Sequence, residues 1–235
     1  MIPVYIGFDH RQVISYTVLH TSIMANAKAP IAVTPLHLPT LPITRAGLTP
    51  FTYSRFLVPW LQDYKGWALF LDADILVLGD LGELFALADD KYAAMVIKNP
   101  RRFEWASVIL FNCGHPKNKT LTPEYIQDGK NPCFKFEWLA PEDIGDLPRE
   151  WNHLVGYDAP RKDAKLIHYT MGIPAFPETE MCEYSKEWQR YSMVAGATVP
   201  WVQLMGQSVH ATHMPDGRIL PHFHPDVLAA QKESA

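Results

Sequence analysis

Two aspartates separated by one residue, Asp72 and Asp74, follow a continuously apolar run from Trp67 to Leu71. Such a short apolar run is typical of a strand that is buried on both faces. Carboxylates at the end of a buried strand are costly unless something compensates their charge, and a hard divalent cation binds carboxylate oxygens. The pair therefore indicates a metal site. The alternative is that one aspartate caps the next element while the other faces water, and the motif alone leaves both open.

The elements around this pair predict an α/β domain. Apolar runs indicate strands, and apolar residues that recur with helical spacing indicate helices. The predicted strands are Ile2–Phe8, Ile31–Leu38, Trp67–Leu71, Tyr92–Ile97, Trp105–Asn112 and Ala164–His168. The predicted helices are His10–Ala27, Phe51–Gln62, Leu78–Ala88, Thr122–Gln127 and Tyr184–Val194. This alternation predicts a single layered domain with a mostly parallel central sheet flanked by helices, which binds ligands at the strand ends.

Other segments carry weaker signals. Asn99–Glu104 is predicted to be a polar loop, Phe134–Leu139 fits a strand or a helix, and Leu147–Tyr157 is too broken for a regular element. We place the domain over residues 1–195, and we expect residues 196–235 to form a C-terminal extension that is partly flexible. Four histidines in that extension have a spacing that could suit a transition metal, although an exposed tail is the favoured interpretation. They are His210, His213, His222 and His224.

Composition excludes several classes of protein. The chain has 235 residues, 48% of them apolar, which suffices for a sizeable core, and a net charge of -4, which gives no basic field for nucleic acid. Asp72 and Asp74 interrupt the best candidate for a membrane span, and the first residues form a strand rather than a signal peptide. Cys113, Cys133 and Cys182 are odd in number and form no CxxC pair, so we expect reduced thiols in a cytoplasmic protein.

Six segments occur in an order that matches a known family. They are Gly7-Phe8-Asp9, Tyr53–Pro59, Leu69–Val77, Phe111–Gly114, Leu147-Pro148 with Trp151-Asn152, and Ile167–Thr170. With them the sequence resembles the family 8 glycosyltransferases, which have a Rossmann-like GT-A fold, and in particular a bacterial and phage-associated subgroup. The resemblance spans most of the chain up to about Phe176. It implies a retaining hexosyltransferase that moves a sugar from a nucleotide-sugar, by family habit a UDP-sugar, to an acceptor.

The resemblance implies that Asp72, Asp74 and His168 hold Mn²⁺, or Mg²⁺, against the diphosphate of the donor. A cation there would act as a Lewis acid and as a template. Imidazole together with carboxylates suits Mn²⁺ better than Ca²⁺. The alternative for His168 is a histidine at a strand end that bonds to the backbone.

The resemblance also implies a set of donor-binding residues. Phe8, Asp9 and Arg11 fall where the family binds the nucleobase and ribose, although Asp9 could instead cap the following helix. Arg55 falls near the donor sugar or diphosphate, where its planar guanidinium suits phosphate. The alternative interpretation is that Arg55 lies on a solvent-exposed helix face. Asp72 and Ala73 of the aspartate motif complete this set.

The residues predicted to face the reacting sugar are Asn112, Glu142 and Asp143. Asn112 ends a strand and could bond sugar hydroxyls, and its alternative is a turn residue before Gly114. Glu142 and Asp143 fall where the family carries an acidic or amide group facing the reacting carbon. Their alternative is a helix start at the surface, since Pro141-Glu142-Asp143 has that pattern.

The chain departs from the family where a lysine often follows the metal histidine to grip the diphosphate, because Met171–Phe176 contains no lysine. Three other functions compete with this one. Sugar nucleotidylyltransfer uses a related fold but needs a Gly-rich phosphate loop after the first strand, and Asp9-His10-Arg11-Gln12 is not one. A phosphohydrolase of the haloacid dehalogenase type expects Gly-Thr after the second aspartate, and here Ile75-Leu76 follow. A non-catalytic protein of the same fold that binds sugars or nucleotides is the third class. The acceptor could be a glycan, a lipid-linked sugar, a protein or modified DNA, with the net charge mildly against DNA.

Overall fold

The structure is a computed structural model that describes residues 1–99, 102 and 104–233. It divides into two compact units, Met1–Ala195 and Gly196–Ala235. Part of the loop predicted over Asn99–Glu104 lies outside the described residues. In the described part of the chain, no helix is long and apolar enough to cross a membrane.

The first unit is a mixture of strands and helices. Its strands are β1 (Ile2–Gly7), β2 (Ile31–Leu36), β3 (Trp67–Leu71), β4 (Ile75–Val77), β5 (Ala94–Val96), β6 (Val108–Asn112), β7 (Ile144–Asp146), β8 (His153–Leu154) and β9 (Leu166–His168). The helices that begin in it are α1 (Val13–Asn26), α2 (Val58–Leu61), α3 (Leu81–Phe85), α4 (Pro123–Gln127) and α5 (Ser185–Gly196). The predicted α/β class is therefore confirmed.

The central sheet has six strands in the order β2-β1-β3-β6-β5-β7. The pairs β1–β2, β1–β3 and β5–β7 are parallel, whereas β6 runs antiparallel to both of its neighbours, β3 and β5. The carboxyl ends of the other five strands therefore share one edge of the sheet with the start of β6. We call this the carboxyl edge, which follows Gly7, Leu36, Leu71, Val96 and Asp146, and the opposite one the amino edge.

A second sheet, in the order β4-β9-β8, begins directly after the aspartate motif. β4 pairs antiparallel with β9 so that Ile75 lies opposite His168, and β8 pairs parallel with β9. The predicted strand Ala164–His168 is thus shorter than expected and belongs to this sheet rather than to the central one. The register brings the end of β9 to the start of β4, next to Asp74.

The central strands owe their place to their apolar side chains. Leu69, Phe70 and Leu71 of β3 have no exposed surface, and every residue of β6 is buried. Strands that are covered on both faces have continuous apolar runs rather than alternating patterns. Because the core ends at Leu71, Asp72 is the first polar group beyond it.

Some elements differ from the predictions for local reasons. The helix predicted over Phe51–Gln62 is a 3₁₀ turn at Ser54–Leu57 followed by the short α2, which carries Pro59 in its first turn. Proline has no N–H to donate, so it is tolerated at the start of a helix and disfavours a longer helix running through it. The helix predicted at Thr122–Gln127 is confirmed, because Thr122 Oγ1 accepts from Tyr125 N at 3.2 Å and caps α4.

Three weaker segments have defined structures. Phe134–Leu139 forms turns and is neither strand nor helix. Leu147–Tyr157 contains a 3₁₀ turn at Arg149–Trp151 and β8. The second unit contains α6 (Trp201–Met205), a hairpin of β10 (Ala211–His213) with β11 (Ile219–Pro221), and α7 (Pro225–Glu233). Its elements are too short to show a clear periodicity in the sequence.

Candidate active site

Asp72 lies at the carboxyl edge, where it forms a buried ion pair with Arg55. The two guanidinium nitrogens of Arg55 approach the two carboxylate oxygens, with Nη1 at 3.1 Å from Oδ2 and Nη2 at 3.0 Å from Oδ1. The side chains are only 7% and 11% exposed. Arg55 also donates from Nη1 to the carbonyl of Ala106 at 2.6 Å and from Nε to that of Thr52 at 3.1 Å. The paired contacts of the guanidinium fix the orientation of the Asp72 carboxylate.

Arg55 is thus not part of a solvated helix face, which was its alternative in the sequence. Its guanidinium lies 4.9 Å from the centre of the Phe70 ring and 5.4 Å from that of Phe134. The donors that could grip phosphate are directed at Asp72 and at two backbone carbonyls instead. In this arrangement Arg55 positions a carboxylate.

Asp74 and His168 meet because of the register between β4 and β9. Tyr169 N donates to the carbonyl of Asp74 at 3.0 Å, and Nε2 of His168 lies 3.3 Å from Oδ1 of Asp74. His168 is buried, whereas the side chain of Asp74 is 36% exposed. Two residues that are far apart in the sequence therefore form one group beside Asp72.

The tautomer of His168 is set by Asn152. Its Nδ1 lies 3.1 Å from Oδ1 of Asn152, and Nδ2 of Asn152 donates to Oγ of Ser107 at 3.1 Å. Since the amide nitrogen is used by Ser107, the amide oxygen accepts from Nδ1 of the imidazole. The lone pair of the neutral ring is then on Nε2, which faces the carboxylates. This is the form in which histidine binds a metal.

Glu104 completes the group, and sequence reasoning missed it. Ligand atoms of Asp72, Glu104 and His168 all lie within 4.8 Å of one another. Glu104 has a φ of 57°, in the left-handed region, and its carbonyl accepts from Ser107 N at 3.2 Å and from Ser107 Oγ at 2.6 Å. Its position follows from the direction of β6, whose start lies at the carboxyl edge. A glutamate shortly before that strand was the available signal.

The pKa values of this group reflect buried negative charge. Burial raises the pKa of Asp72 to about 7, the guanidinium of Arg55 opposes that rise, and the charge of Asp74 adds to it. Burial lowers the pKa of His168, but the carboxylates of Asp74, Glu104 and Asp72 outweigh it, so the pKa is raised. A bound cation would neutralise this excess of negative charge.

The residues fit a divalent cation. Asp72 Oδ1 and Asp74 Oδ1 are buried oxygens that accept no aligned hydrogen bond from the described residues, although Arg55 Nη2 lies 3.0 Å from the first and His168 Nε2 lies 3.3 Å from the second. Carboxylate oxygens with one imidazole nitrogen form a donor set for Mn²⁺ or Mg²⁺. Orphaned buried oxygens are otherwise expensive, and a cation would satisfy them.

A cavity of about 570 Å³ opens over this group. Its wall includes Asp72, Asp74, Glu104 and His168, together with aromatic, hydroxyl and basic side chains. The aromatic and basic members are Phe51, Arg55, Arg102, Trp105, Phe134 and Lys135. A cavity of this size with a few convergent polar groups is typical of a small-molecule site.

Comparisons with known proteins identify the family of this chain. Residues 39–120 match the family model described as Glycosyl transferase family 8. The chain is also 37% identical over 219 residues to Protein CDI of Arabidopsis thaliana, in a match that covers 79% of the chain and 83% of that protein. The chain belongs to glycosyl transferase family 8. It is therefore a glycosyltransferase.

Solved structures of glycosyltransferases share the fold. The bifunctional glycosyltransferase WbbM superposes with a TM-score of 0.64 at 18% identity, over 86% of this chain and 50% of WbbM. The galactosyltransferase LgtC, solved with donor and acceptor sugar analogues, superposes with a TM-score of 0.58 at 14% identity, over 85% of this chain and 98% of LgtC. The chain thus spans half of the WbbM chain. The predicted GT-A fold of family 8 is confirmed.

The residues that the family 8 resemblance implied for the nucleotide lie at the carboxyl edge but do not line the cavity. Asp9 accepts from Arg11 N at 2.9 Å and from Arg11 Nε at 2.9 Å, so it caps the 3₁₀ turn at His10–Gln12. These interactions with Arg11 lower the pKa of Asp9, the side-chain hydrogen bond being the largest cause. Phe8 packs edge-on against Tyr16, and Ala73 is buried between the two aspartates.

Three residues predicted to face the reacting sugar are not brought to this group. Asn112 pairs with Trp67, the first residue of β3, which is about 13 Å along the strand from Leu71. Its Nδ2 donates to the carbonyl of Tyr92 at 3.2 Å. The reason is that β6 is antiparallel, so its end lies at the amino edge.

Glu142 and Asp143 lie in a 3₁₀ turn that leads into β7, and therefore also at the amino edge. Asp143 accepts from Ala140 N at 2.8 Å and pairs with Lys117, whose ammonium is the main cause of the lowered pKa of Asp143. Asp143 therefore caps a turn and forms an ion pair, and Glu142 is exposed. Both lie in a turn that starts with Pro141, as their alternative has it, but only Glu142 is at the surface, because Asp143 is buried.

The histidines of the second unit do not gather into a metal cluster among the described residues. Both ring nitrogens of His222 have partners, with Nδ1 at 2.6 Å from Thr212 Oγ1 and Nε2 at 2.8 Å from the carbonyl of Val209. Nδ1 of His224 accepts from Asp226 N at 3.2 Å. Histidines whose nitrogens serve the local fold are poor metal ligands.

Proposed function

We propose that this glycosyltransferase uses a divalent cation, Mn²⁺ or Mg²⁺, and a nucleotide-sugar, with UDP as the first candidate nucleotide, and that it retains the anomeric configuration. The observation that carries the proposal is the group formed by Asp72, Asp74, Glu104 and His168 in the wall of the 570 Å³ cavity. Carboxylates and an imidazole gathered in a cavity match the needs of a cation that also binds a diphosphate. LgtC, which shares the fold, was solved with donor and acceptor sugar analogues.

The proposed cation ligands are Asp72, Asp74 and His168, with Glu104 as a fourth. When bound, the cation would supply Lewis-acid stabilisation of the charge on the departing diphosphate. The role of the protein is to hold its ligands in place. Arg55 keeps the Asp72 carboxylate in one orientation through two contacts of 3.0–3.1 Å. Asn152 keeps the proton of His168 on Nδ1, 3.1 Å away, and leaves Nε2 for the cation.

The nucleoside part of the donor is proposed to lie toward β1. Ile6 of β1 is level with Leu71 of β3, so the residues that follow each strand are neighbours at the carboxyl edge. Phe8, Asp9 and Arg11 follow β1, and the Arg11 side chain is 60% exposed. The pairing of Arg11 with Asp9 leaves part of the guanidinium free to meet a ribose or a base, which supports but does not test this placement.

Retention is supported by where the carboxylates lie. Within the described residues, the carboxylates that line the cavity are Asp72, Asp74 and Glu104, all of them in the group assigned to the cation. Inversion would need a further base on the acceptor side, on the face opposite to the leaving group. In a retaining front-face reaction, the bond from the anomeric carbon to the phosphate oxygen breaks. The acceptor oxygen bonds to that carbon from the same face, and its proton passes to the phosphate oxygen.

The alternatives have less support. After Asp74 the chain enters β4 with Ile75 rather than with the Gly-Thr of haloacid dehalogenase-type phosphohydrolases. A non-catalytic binding protein has little use for an oriented metal ligand set. Cys113, Cys133 and Cys182 are free thiols, which supports a proposal that the protein works in a reducing compartment such as the cytoplasm. The acceptor class stays open among glycans, lipid-linked sugars, proteins and modified DNA.

The test is a hydrolysis screen of nucleotide-sugars with Mn²⁺, with Mg²⁺ and with a chelator. We expect slow release of the nucleoside diphosphate from one donor, dependent on the metal and abolished by Asp74→Asn and by His168→Ala. Glu142→Gln, an exposed carboxylate at the amino edge, is the matched control and is expected to keep wild-type turnover. Equal turnover in the presence of chelator, or wild-type activity in either site variant at saturating Mn²⁺, would contradict the metal assignment.

A further inference from the structure

The cavity carries basic side chains whose task the metal group does not explain. Among the described residues, the arginines and lysines that line it are Arg55, Arg102 and Lys135. The guanidinium of Arg55 already donates hydrogen bonds to Asp72 and to two backbone carbonyls. The guanidinium of Arg102 lies 5.2 Å from the centre of the Trp105 ring. Lys135 is exposed and forms no ion pair within the described part of the chain.

The segment after His168 offers no such group. From Tyr169 to Ser185 the sequence contains neither lysine nor arginine, and the first one is Lys186 at the start of α5. The end of β9 therefore provides an imidazole for a cation and nothing positive for the phosphates. Lys135, from another part of the chain, lines the same cavity and is available for that task.

The backbone around Lys135 is held in place on both sides. Phe134 contacts Tyr53 and Phe56 edge-on, with ring centres 5.7 Å and 5.5 Å apart. Phe136 packs edge-on against Phe56 at 6.2 Å and stacks on Trp138 at 5.2 Å. Aromatic anchors on either side hold the backbone at Lys135, so that binding an anion costs the rotamer entropy of the lysine side chain but no ordering of the loop.

The first of these anchors also connects Lys135 to the metal group. The centre of the Phe134 ring is 5.4 Å from the guanidinium of Arg55, and that guanidinium forms the ion pair with Asp72. Among the described residues, three carboxylates and three basic side chains line the cavity. A divalent cation would then leave the site two charges positive, and the diphosphate of a nucleotide-sugar carries two negative charges. Charge complementarity of this kind favours a diphosphate over a neutral ligand.

We propose that Lys135 binds the diphosphate of the nucleotide-sugar donor, an inference that rests on the proposed function. Lys135 takes the task of the lysine that the segment after His168 lacks. It makes a charge-assisted contact with the phosphate oxygens, and it determines the preference of the site for nucleoside diphosphates over monophosphates. Lys135 is thus a binding residue for the donor rather than for the acceptor.

The experiment measures nucleotide affinity rather than turnover. Binding of the nucleoside diphosphate that the wild-type protein prefers among UDP, GDP and ADP, and of the matching monophosphate, is measured by calorimetry at saturating Mn²⁺. The variants are Lys135→Met, which keeps the aliphatic stem, and Lys135→Arg, which keeps the charge. The control is Lys130→Met, a change at an exposed lysine of the same loop.

We expect Lys135→Met to weaken the diphosphate by about 10- to 100-fold, which corresponds to losing one hydrogen bond to a charged group, and to change the monophosphate much less. Lys135→Arg should restore most of the affinity, and Lys130→Met should match the wild type. An unchanged ratio of diphosphate to monophosphate affinity in Lys135→Met, with a wild-type melting temperature, would overturn the inference while leaving the proposed function intact. A wild-type protein that binds none of the diphosphates better than their monophosphates would overturn the proposed function itself.

Discussion

Asn152 and His168 are joined by a contact of 3.1 Å between the amide oxygen and Nδ1 of the imidazole. Both residues are buried, at 4% and 2% exposure. Asn152 directly precedes β8, and Leu154, two residues further on, pairs with His168 at the end of β9, so the side chains of Asn152 and His168 meet across two residues of register. The imidazole therefore presents Nε2 to Asp74, at 3.3 Å, in a fixed orientation.

Replacing Asn152 should weaken metal binding without removing any metal ligand. In Asn152→Ala the ring loses the acceptor that holds its tautomer and its orientation, and we expect Mn²⁺ affinity to fall by about 10- to 100-fold. Calorimetric titration of Mn²⁺ measures the change. Asn131→Ala is the control, because Asn131 Nδ2 bonds only to the carbonyl of Tyr125, at 2.9 Å. Wild-type affinity in Asn152→Ala would show that the ring is held by its packing alone.

Replacing Glu104 should reveal whether it binds the cation. Its carboxylate belongs to the group whose ligand atoms lie within 4.8 Å, whereas Glu142 is exposed at the amino edge. We expect Glu104→Gln to lower Mn²⁺ affinity by at least about tenfold, since it removes a full charge from the donor set. Glu142→Gln should have no effect. Electron paramagnetic resonance of free and bound Mn²⁺ compares the two, and equal affinities would exclude Glu104 as a ligand.

Breaking the ion pair of Arg55 with Asp72 should destabilise the fold. The two side chains are 7% and 11% exposed, so removal of the guanidinium leaves a buried carboxylate with no partner. We expect Arg55→Met to lower the free energy of unfolding by about 3–5 kcal/mol in the metal-free protein. Urea denaturation measures it.

The control for this pair is the double variant Arg55→Met with Asp72→Asn. It removes both charges and should recover a large part of the loss, since the main cost is the uncompensated charge. A single variant that is as stable as the wild type would mean that the Asp72 carboxylate is protonated, as the raised pKa of about 7 allows near neutral pH.

Metal and nucleotide should stabilise the protein together by more than either does alone. Ligands that bind only the folded state raise its stability by mass action, and a diphosphate that contacts the bound cation couples the two equilibria. We expect the melting temperature with Mn²⁺ and UDP to exceed the sum of the separate shifts. Thermal scans with UDP, GDP and ADP, each with and without Mn²⁺, test this. Strictly additive shifts for every nucleotide would count against a shared site.

The product should keep the configuration of the donor. The carboxylates that line the cavity within the described residues all belong to the metal group, so no separate base faces an acceptor from the opposite side. Proton NMR of the first-formed product of an α-linked donor should therefore show an α-linkage. A β-linkage formed before any anomeric equilibration would contradict the front-face reaction.

The sequence predicted the parts of the site that depend on local patterns. Asp72 and Asp74 could be found because the end of a buried apolar run is visible in the chain. Thr122 was recognised as the start of α4 because a cap and the helix that it begins are neighbours in sequence. His168 came from the resemblance to family 8, and the register of β4 with β9 explains why it lies beside Asp74.

The residues that the structure places away from the metal group depend on strand direction. The side-chain pattern of a buried strand is the same whether it runs up or down the sheet, so the sequence could not say that β6 is antiparallel. That single reversal moved Asn112 to the amino edge and brought Glu104 to Asp72. The structure of the second unit was also missed, because elements as short as α6 and β10 carry too few residues to show a period.

The reversal of β6 has a consequence for how this scaffold could be altered. β5 ends and β6 begins at the carboxyl edge, so the connection between Val96 and Val108 leaves and re-enters the sheet beside the active site. Both of its anchors lie in strands that are completely buried. Glu104, Ala106 and Ser107 of this connection contact the metal group, Arg55 and Asn152, so changes made before Glu104 are the ones that would reshape the mouth of the cavity and keep those contacts. Changing the length of this connection is therefore a direct route to a new substrate range with an unchanged core.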